Sequence, residues 1–161
     1  MEYDVVLRWL HVIGACVLIG TGAGIAFFML MAHRTRDPSI IAHTAHIVVV
    51  ADTLFTATAV VAQPITGILL AHSIGWSLSE GWIVLSLLLY MMIGLFWLPV
   101  VWIQIQLRRF SRIARDSNAQ LPEVYDRYFR IWFLCGIPAF IAILAIVWLM
   151  LARPNINLGI T

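Results

Sequence analysis

Residues 5–32 read VVLRWLHVIGACVLIGTGAGIAFFMLMA, an apolar run in which Arg8 is the one charged residue. A run of this length crosses the roughly 30 Å hydrocarbon core of a bilayer as a helix, because each helical residue rises about 1.5 Å. Hydrocarbon offers no partner for backbone polar groups, so a spanning segment of this kind pairs them internally and is helical. Three further apolar runs, at 47–71, 82–103 and 131–152, predict three more transmembrane helices.

The overall composition agrees with a membrane protein. The chain has 161 residues, of which 62% are hydrophobic and 11% are charged, whereas about 25% of the residues of a soluble domain are charged. So few charges cannot cover a soluble surface, and a net charge of +2 without a basic stripe argues against nucleic-acid binding. All ten basic residues are arginine, and the chain contains no lysine.

Capping residues extend two of the helices beyond their apolar runs. Asp37 suits the N-cap of the second helix and Pro38 its first position. The fourth helix is expected to begin near Pro122, with Glu123 and Asp126 in its first turns, where the helix dipole favours acids. We therefore predict an all-α, polytopic four-helix bundle that forms a single domain over 1–161, with helices at about 5–32, 38–72, 82–117 and 122–152.

The distribution of arginine predicts the orientation in the membrane. Four helices place both termini on one side and the loops 34–40 and 107–130 on the other. The two loops contain eight arginines, whereas Arg8 and Arg153 are the only ones on the side of the termini. The positive-inside rule then places both termini on the non-cytoplasmic side. We expect a multi-pass protein of the bacterial inner membrane, in contact with the lipid bilayer.

Glycines are concentrated in the first helix, where Gly20 and Gly24 form a GxxxG pattern. Small residues at this spacing allow another backbone or a flat cofactor to approach closely. We expect close packing within the bundle. The alternatives are a homodimer seam and the wall of a cofactor site.

Five histidines are the main indication of chemistry. Neutral imidazole is a common ligand of haem iron, and histidines at two depths would suit one or two haems. His11 lies about two turns inside the first helix, where a buried histidine requires a partner, and Gly14 one turn further leaves space beside its ring. We predict His11 as the first axial ligand, with His46 and His72 as further candidates. A hydrogen-bonded structural role for His11, and solvent exposure for His33, His43 and His72, are the alternatives.

Asp52 is the one acid inside an apolar run, where ionisable residues are costly and usually functional. At about 100° per residue, Asp52 shares a stripe of the second helix with Thr56, Gln63 and Thr66. We expect this stripe to face the bundle interior and to meet Gln104 of the third helix, with Arg130 of the fourth helix reaching in. Asp52 is then either a catalytic group, on a proton path or at a quinone site, or a hydrogen-bonded pin between helices.

The segment LRWLHVIG at 7–14 resembles the helix-one histidine motif of HemJ-type and copper-resistance-D-like membrane proteins. With ADTLF at 51–55, QPITG at 63–67, LFWLP at 95–99, WFLCGIPA at 132–139 and WLM at 148–150, the chain resembles an uncharacterised bacterial integral-membrane family related to these proteins. The resemblance implies a four-helix fold and haem ligation by His11. HemJ-type protoporphyrinogen oxidases also need a lysine soon after a Gly-Trp pair of the third helix. Ser86 stands at that place here, which argues against their activity.

We therefore predict a haem-b-binding inner-membrane protein of cytochrome b type. Its expected work is one-electron transfer, linked to a quinone through the Asp52 stripe and to a redox partner or membrane complex. One alternative is a cofactor-free assembly or interaction subunit that docks a partner through Arg108, Arg112 and Arg115. A metal or ion permease that uses Asp52 with His43 and His46 is the weaker alternative.

Overall fold

The computed structural model describes residues 2–157, and within them it contains four long helices and no strand. All four helices are long and apolar enough to cross a membrane. This confirms the all-α, four-transmembrane-helix prediction, and every predicted helix end lies within three residues of the observed one. The helices are α1 (Glu2–Thr35), α2 (Pro38–Ile74), α3 (Gly81–Asp116) and α4 (Glu123–Ala152).

The helix ends follow the predicted local chemistry. Asp37 caps α2 by accepting a hydrogen bond from the Ser39 backbone N–H (2.7 Å), and Pro38 occupies the first turn. Gly75 ends α2 with a φ of 86°, a left-handed conformation that glycine adopts without steric cost. The turn after α1 is tied to the first turns of α4 by an ion pair between Arg36 and Asp126 (2.5 Å).

A π-helical turn interrupts α2 at Asp52–Thr56. Here the Ala57 backbone N–H donates to the carbonyl of Asp52, five residues earlier, instead of four. The part of α2 before this turn packs against α1 and α3, whereas the part after it packs mainly against α1. The π turn is therefore the point at which α2 changes its main neighbour.

The four helices are packed most closely at one end of the bundle, which we call the arginine-rich end because it includes the two arginine-containing loops. A core of buried side chains from all four helices lies there. Toward the opposite end, the termini end, a second and smaller core of Trp82, Ile83 and Leu149 joins α3 to α4. The larger core, at the arginine-rich end, consists of these side chains: Ile25, Met29, Ala32, Ile41, Ala45, Val48, Ile103, Leu107, Tyr125, Phe129 and Trp132.

The segment after α4 folds back over the beginning of α3. The Ile156 carbonyl lies so close to Gly81 that a Cβ at this position would overlap it. The Arg153 guanidinium lies 5.6 Å from the ring centre of Trp76 and 5.9 Å from that of Trp82. These contacts close the termini end of the α3–α4 pair.

Large apolar side chains cover the outside of the bundle. Leu151 is 81% exposed and Leu95 71% exposed, and many others are exposed on all four helices. A contiguous apolar exterior of this extent faces lipid in a membrane protein. The chain is thus a multi-pass membrane protein.

Of the two GxxxG glycines, Gly20 is exposed on this exterior surface and Gly24 is half-buried. Among residues 2–157, a Cβ at Gly20 would meet no atom within 4 Å, and one at Gly24 would meet only Phe28 of the same helix, at 4.0 Å. The expectation that these two glycines permit close packing within the bundle is therefore wrong. A homodimer seam at Gly20 and Gly24 stays a prediction.

Candidate functional site

Two side chains hold α1 against the second half of α2. One extends from α1 to α2, and the other extends from α2 to α1. His11 of α1 lies over Gly67 of α2, where a Cβ would come within 3.0 Å of the imidazole Cε1. Gln63 of α2 lies over Gly14 of α1, where a Cβ would overlap the amide nitrogen. Gln63 Nε2 also donates to the backbone carbonyl of His11 (2.8 Å). We call this arrangement the α1–α2 clasp.

The clasp determines which nitrogen of His11 bears the proton. Thr66 Oγ1 lies 2.8 Å from the Ala62 carbonyl and 2.9 Å from His11 Nδ1. The hydroxyl proton must point to the carbonyl, because two oxygens at 2.8 Å without a proton between them would repel. We therefore assign the ring proton to Nδ1, which donates to Thr66, and in a neutral ring this assignment places the lone pair on Nε2.

The other residues predicted to bind haem, Gly14, His46 and His72, do not form a common site with His11. Gly14 does not leave space for a cofactor beside the His11 ring, because the Gln63 side chain fills it; this expectation is corrected. His46 is exposed and lies about 30 Å from Thr66 along α2, so it does not share a site with His11 in one chain. His72 is exposed near the end of α2, and His43 is exposed as well. His46 and His72 stay predictions as ligands.

His33 is only half-buried, and it has an aromatic environment that its sequence position does not indicate. Its ring stacks on Phe129 at 3.7 Å between centroids, with the ring planes 4° apart. The expectation that His33 is solvated at the end of an apolar run is therefore wrong. The sequence feature that could have indicated this environment is the spacing of Tyr125 and Phe129, which lie one helical turn apart on α4.

Asp52 is buried at the beginning of the π turn and is held by side chains of α3. Trp97 Nε1 donates to its Oδ1 through a long hydrogen bond of 3.4 Å. Gln104 Nε2 donates to its Oδ2 (3.2 Å), and Gln104 Oε1 accepts from Trp132 Nε1 of α4 (3.2 Å), in the amide orientation that pairs each acceptor with a donor. The four side chains form one polar chain across three helices, which we call the Asp52 cluster.

This geometry confirms Gln104 as the partner of Asp52 and corrects two other expectations. Arg130 is exposed, and Trp132 is the α4 residue that reaches the cluster. The predicted polar stripe is also divided, since Asp52 bonds to α3 while Gln63 and Thr66 bond to α1. The physical reason is the π turn, whose extra residue turns the rest of α2 back by as much as about 100°.

Replacing Gln104 by leucine tests the Asp52 cluster. The substitution keeps the volume but leaves Asp52 Oδ2 and the Trp132 N–H without a partner inside an apolar bundle, while Asp52 Oδ1 keeps its long hydrogen bond from Trp97. We expect a loss of about 3 kcal/mol in stability, because each unpaired buried group costs about 1–3 kcal/mol. At roughly 2–4 °C per kcal/mol for a chain of this size, the melting temperature in detergent should fall by roughly 6–12 °C.

The matched control is Gln106→Leu, two residues further along α3 and outside the Asp52 cluster. We expect it to change the melting temperature by only a degree or two. The double variant Asp52→Leu/Gln104→Leu should recover part of the loss, since it removes the unpaired carboxylate. If the Gln104→Leu and Gln106→Leu proteins have the same melting temperature, the cluster does not hold the helices together.

A cavity of about 380 Å³ lies beside the Asp52 cluster and is lined by residues of all four helices. Its walls are almost entirely apolar, and aromatic rings of α3 and α4 form much of them. Thr56 of the predicted polar stripe also lines the cavity, and its buried Oγ1 has no close hydrogen-bond partner among residues 2–157. Asp52, Gln104 and the Tyr90 side chain complete the polar part of the lining.

Comparison with known proteins indicates a family but no activity. The family model described as "Predicted integral membrane protein (DUF2269)" matches residues 5–154. No curated protein and no solved structure matches the chain significantly. The match spans all four helices and includes the α1–α2 clasp and the Asp52 cluster.

Proposed function

We propose that this chain, which belongs to the DUF2269 family of predicted integral membrane proteins, binds haem b through His11 and transfers single electrons within the membrane. When bound, the haem would supply the one-electron chemistry through its iron. His11 would hold the iron and the apolar helices would surround the group, and together they would set its redox potential. Isoprenoid quinone is the proposed exchange partner for electrons.

One observation supports this proposal more than any other: the hydrogen bond between His11 Nδ1 and Thr66 Oγ1 (2.9 Å). Histidines that bind metals typically donate their second ring N–H to a fixed acceptor, which orients the ring and makes the ligating nitrogen more basic. Thr66 is such an acceptor, and its own proton is committed to the Ala62 carbonyl. In this tautomer Nε2 holds the lone pair that would bind iron.

The residues fit one axial ligand for each chain. His46 and His72 do not converge on His11, and within residues 2–157 no three side chains of histidine, cysteine, aspartate or glutamate come together as a site for a bare metal ion. A single histidine contact of this kind matches haem, whose iron already has four porphyrin nitrogens, better than a permease site. The proposal therefore assigns one His11-ligated haem to each chain.

The chain's proposed place is the bacterial inner membrane, with both termini outside the cytoplasm. The support is the concentration of eight arginines in the loops of the arginine-rich end. In this orientation His11 belongs to the outer leaflet and the Asp52 cluster lies deeper in the bilayer. A redox partner would then reach the haem from the termini end.

An absorption spectrum tests the proposal. Protein purified in detergent from haem-replete cells should show a Soret band that shifts on reduction by dithionite, with about one haem for each chain. Colourless protein under these conditions would contradict it. Colourless protein that retains a stoichiometric companion, and loses it on replacement of Arg108, Arg112 and Arg115, would favour an assembly subunit instead.

A further inference from the structure

Positive charge is in excess at the arginine-rich end of the bundle. The two arginine-containing loops hold eight arginines but only four acids. Three of these acids are already engaged, one in the cap of α2 and two in ion pairs, and the fourth, Glu123, forms no ion pair among the described residues. Five arginines of this end therefore have no carboxylate within 4 Å in the described part of the chain: Arg34, Arg108, Arg109, Arg127 and Arg130.

Two of these five arginines lie at the junction between α3 and α4. Tyr128 of α4 joins the two helices there, because its ring contacts both Trp102 and Phe110 of α3, with 5.6 and 5.7 Å between ring centres. Arg109 directly precedes Phe110, and Arg127 directly precedes Tyr128. Both arginines are exposed. The ring contacts therefore bring the two arginines to a similar level of the bundle.

Helical periodicity places both arginines on the outer side of this junction. Arg109 follows the half-exposed Trp102 by seven residues, and residues seven apart share one side of a helix. Ile131 lies three residues after Tyr128 and four after Arg127, so it joins these two on one side of α4. We call the outward-facing junction that these side chains line the α3–α4 groove.

The other unpaired arginine of α3 lies outside the groove. Arg108 is half-buried and shares the side of the helix that contains Gln104, four residues earlier, and Ser111, three residues later. Both of these side chains are buried within the bundle. Arg108 therefore belongs to a different side of α3 from Arg109, although the two are adjacent in the chain.

The groove changes from charged to apolar toward the middle of the bilayer. Trp102, two helical turns before Arg109, is 50% exposed, and Ile131, one turn after Arg127, is 42% exposed. Tryptophan and tyrosine are typical of the level at which lipid headgroups meet the hydrocarbon. The groove thus offers two positive charges at the headgroup level and an apolar surface directly below them, as an amphiphile with an anionic head requires.

The chemistry of the two arginines indicates a phosphate group. Guanidinium groups bind phosphate oxygens through paired N–H donors, and basic clusters next to a membrane helix attract anionic lipids. A headgroup that contains choline would bring a further positive charge to Arg109 and Arg127. A water-soluble acidic protein could pair with the arginines, but it would leave the apolar surface at Trp102 and Ile131 unused. The groove therefore fits an anionic phospholipid best.

We propose that the α3–α4 groove binds one anionic phospholipid, whose phosphate lies between Arg109 and Arg127 and whose acyl chain lies along Trp102 and Ile131. The bound lipid neutralises part of the excess charge and joins α3 to α4 at the arginine-rich end. The site is separate from the α1–α2 clasp and does not depend on the binding of haem.

Fluorescence quenching by brominated lipid tests this inference in vesicles of phosphatidylcholine that contain a minor fraction of brominated phosphatidylglycerol. The chain has seven tryptophans, so the signal of Trp102 is the difference between each protein and the same protein with Trp102→Phe. Brominated phosphatidylglycerol should quench Trp102 more strongly than an equal fraction of brominated phosphatidylcholine. Arg109→Gln/Arg127→Gln should lower the relative affinity for phosphatidylglycerol at least fivefold, because each arginine near an anionic surface contributes about fivefold.

Three controls make the result specific. Arg34→Gln/Arg108→Gln removes the same charge from the same end but outside the groove, and it should keep most of the preference for phosphatidylglycerol. Arg109→Lys/Arg127→Lys keeps the charge without the paired donors, and it should retain part of the preference. Inorganic phosphate, added at constant ionic strength, should not displace the brominated lipid, because it has no chain to occupy the apolar surface.

The inference is overturned if Trp102 is quenched equally by the two brominated lipids. It is also overturned if Arg34→Gln/Arg108→Gln lowers the affinity as much as Arg109→Gln/Arg127→Gln, because total charge and not the groove would then attract the lipid. Displacement by inorganic phosphate would assign the two arginines to a free anion. An unchanged lipid preference in Arg109→Gln/Arg127→Gln, together with loss of a stoichiometric protein companion, would assign them to a protein partner.

Discussion

The His11→Gly protein is expected to purify without the Soret band of the wild type, and addition of imidazole is expected to restore the band. The substitution removes the Nε2 ligand and leaves space for a free imidazole over Gly67. Haem affinity in this proposal depends on one protein ligand per chain, so the haem-to-protein ratio should fall to background. The measurement is an absorption spectrum with and without imidazole in the buffer.

His46→Ala and His72→Ala are the matched controls for this experiment. Both side chains are exposed, and neither reaches the α1–α2 clasp, so both variants should retain the wild-type spectrum. Size-exclusion chromatography of His11→Gly separates loss of haem from loss of fold. Full retention of the Soret band by His11→Gly would refute ligation by this residue. An equal loss of the Soret band in His46→Ala or His72→Ala would indicate that the replaced histidine is a haem ligand.

The Gly14→Ala protein is expected to be less stable than the wild type by about 2–4 kcal/mol. The added methyl group overlaps the amide of Gln63, so α1 and α2 must separate or Gln63 must release the His11 carbonyl. Overpacking costs about 1–3 kcal/mol and the lost hydrogen bond about 1 kcal/mol. Thermal unfolding in detergent should show a clear decrease in melting temperature, by roughly 4–16 °C at about 2–4 °C per kcal/mol.

Gly20→Ala is the control on the same helix. A methyl group at Gly20 meets no atom of the described part of the chain within 4 Å, and alanine favours the helix over glycine by as much as about 1 kcal/mol. Stability should therefore be unchanged or slightly higher. The double variant Gly14→Ala/Gln63→Ala should recover part of the loss, because the clash is removed. Equal melting of the Gly14→Ala and Gly20→Ala proteins would exclude a close contact at the clasp.

The sequence was sufficient for the fold and for part of the site. Apolar run lengths located the four helices, since the bilayer fixes the length of a span. The Asp37-Pro38 pair located the beginning of α2, because its capping chemistry is local. The contact between Asp52 and Gln104 was predictable because a polar side chain in lipid needs a polar partner, and few are available.

The rest of the site depends on how the helices are paired, which a periodic apolar sequence does not determine. Gly14 was predicted to leave space beside the His11 ring, but the Gln63 side chain lies over it. The hydrogen bond from the Trp132 N–H to Gln104 was not predicted. The open surface at Gly20 and the cavity beside the Asp52 cluster also become visible only when the positions of neighbouring helices are known.

The π turn sets the rotation of the second half of α2 relative to the first half. The number of residues in this turn therefore has to stay constant. Deleting one residue between Asp52 and Thr56 would restore an α-helical turn and rotate everything after it by about 100°. Gln63 would then leave Gly14 while Asp52 kept its place, so a single codon loss would uncouple two helix interfaces. The loop between α2 and α3 has no such requirement, and we expect natural length variation to accumulate there and to be absent from the π turn.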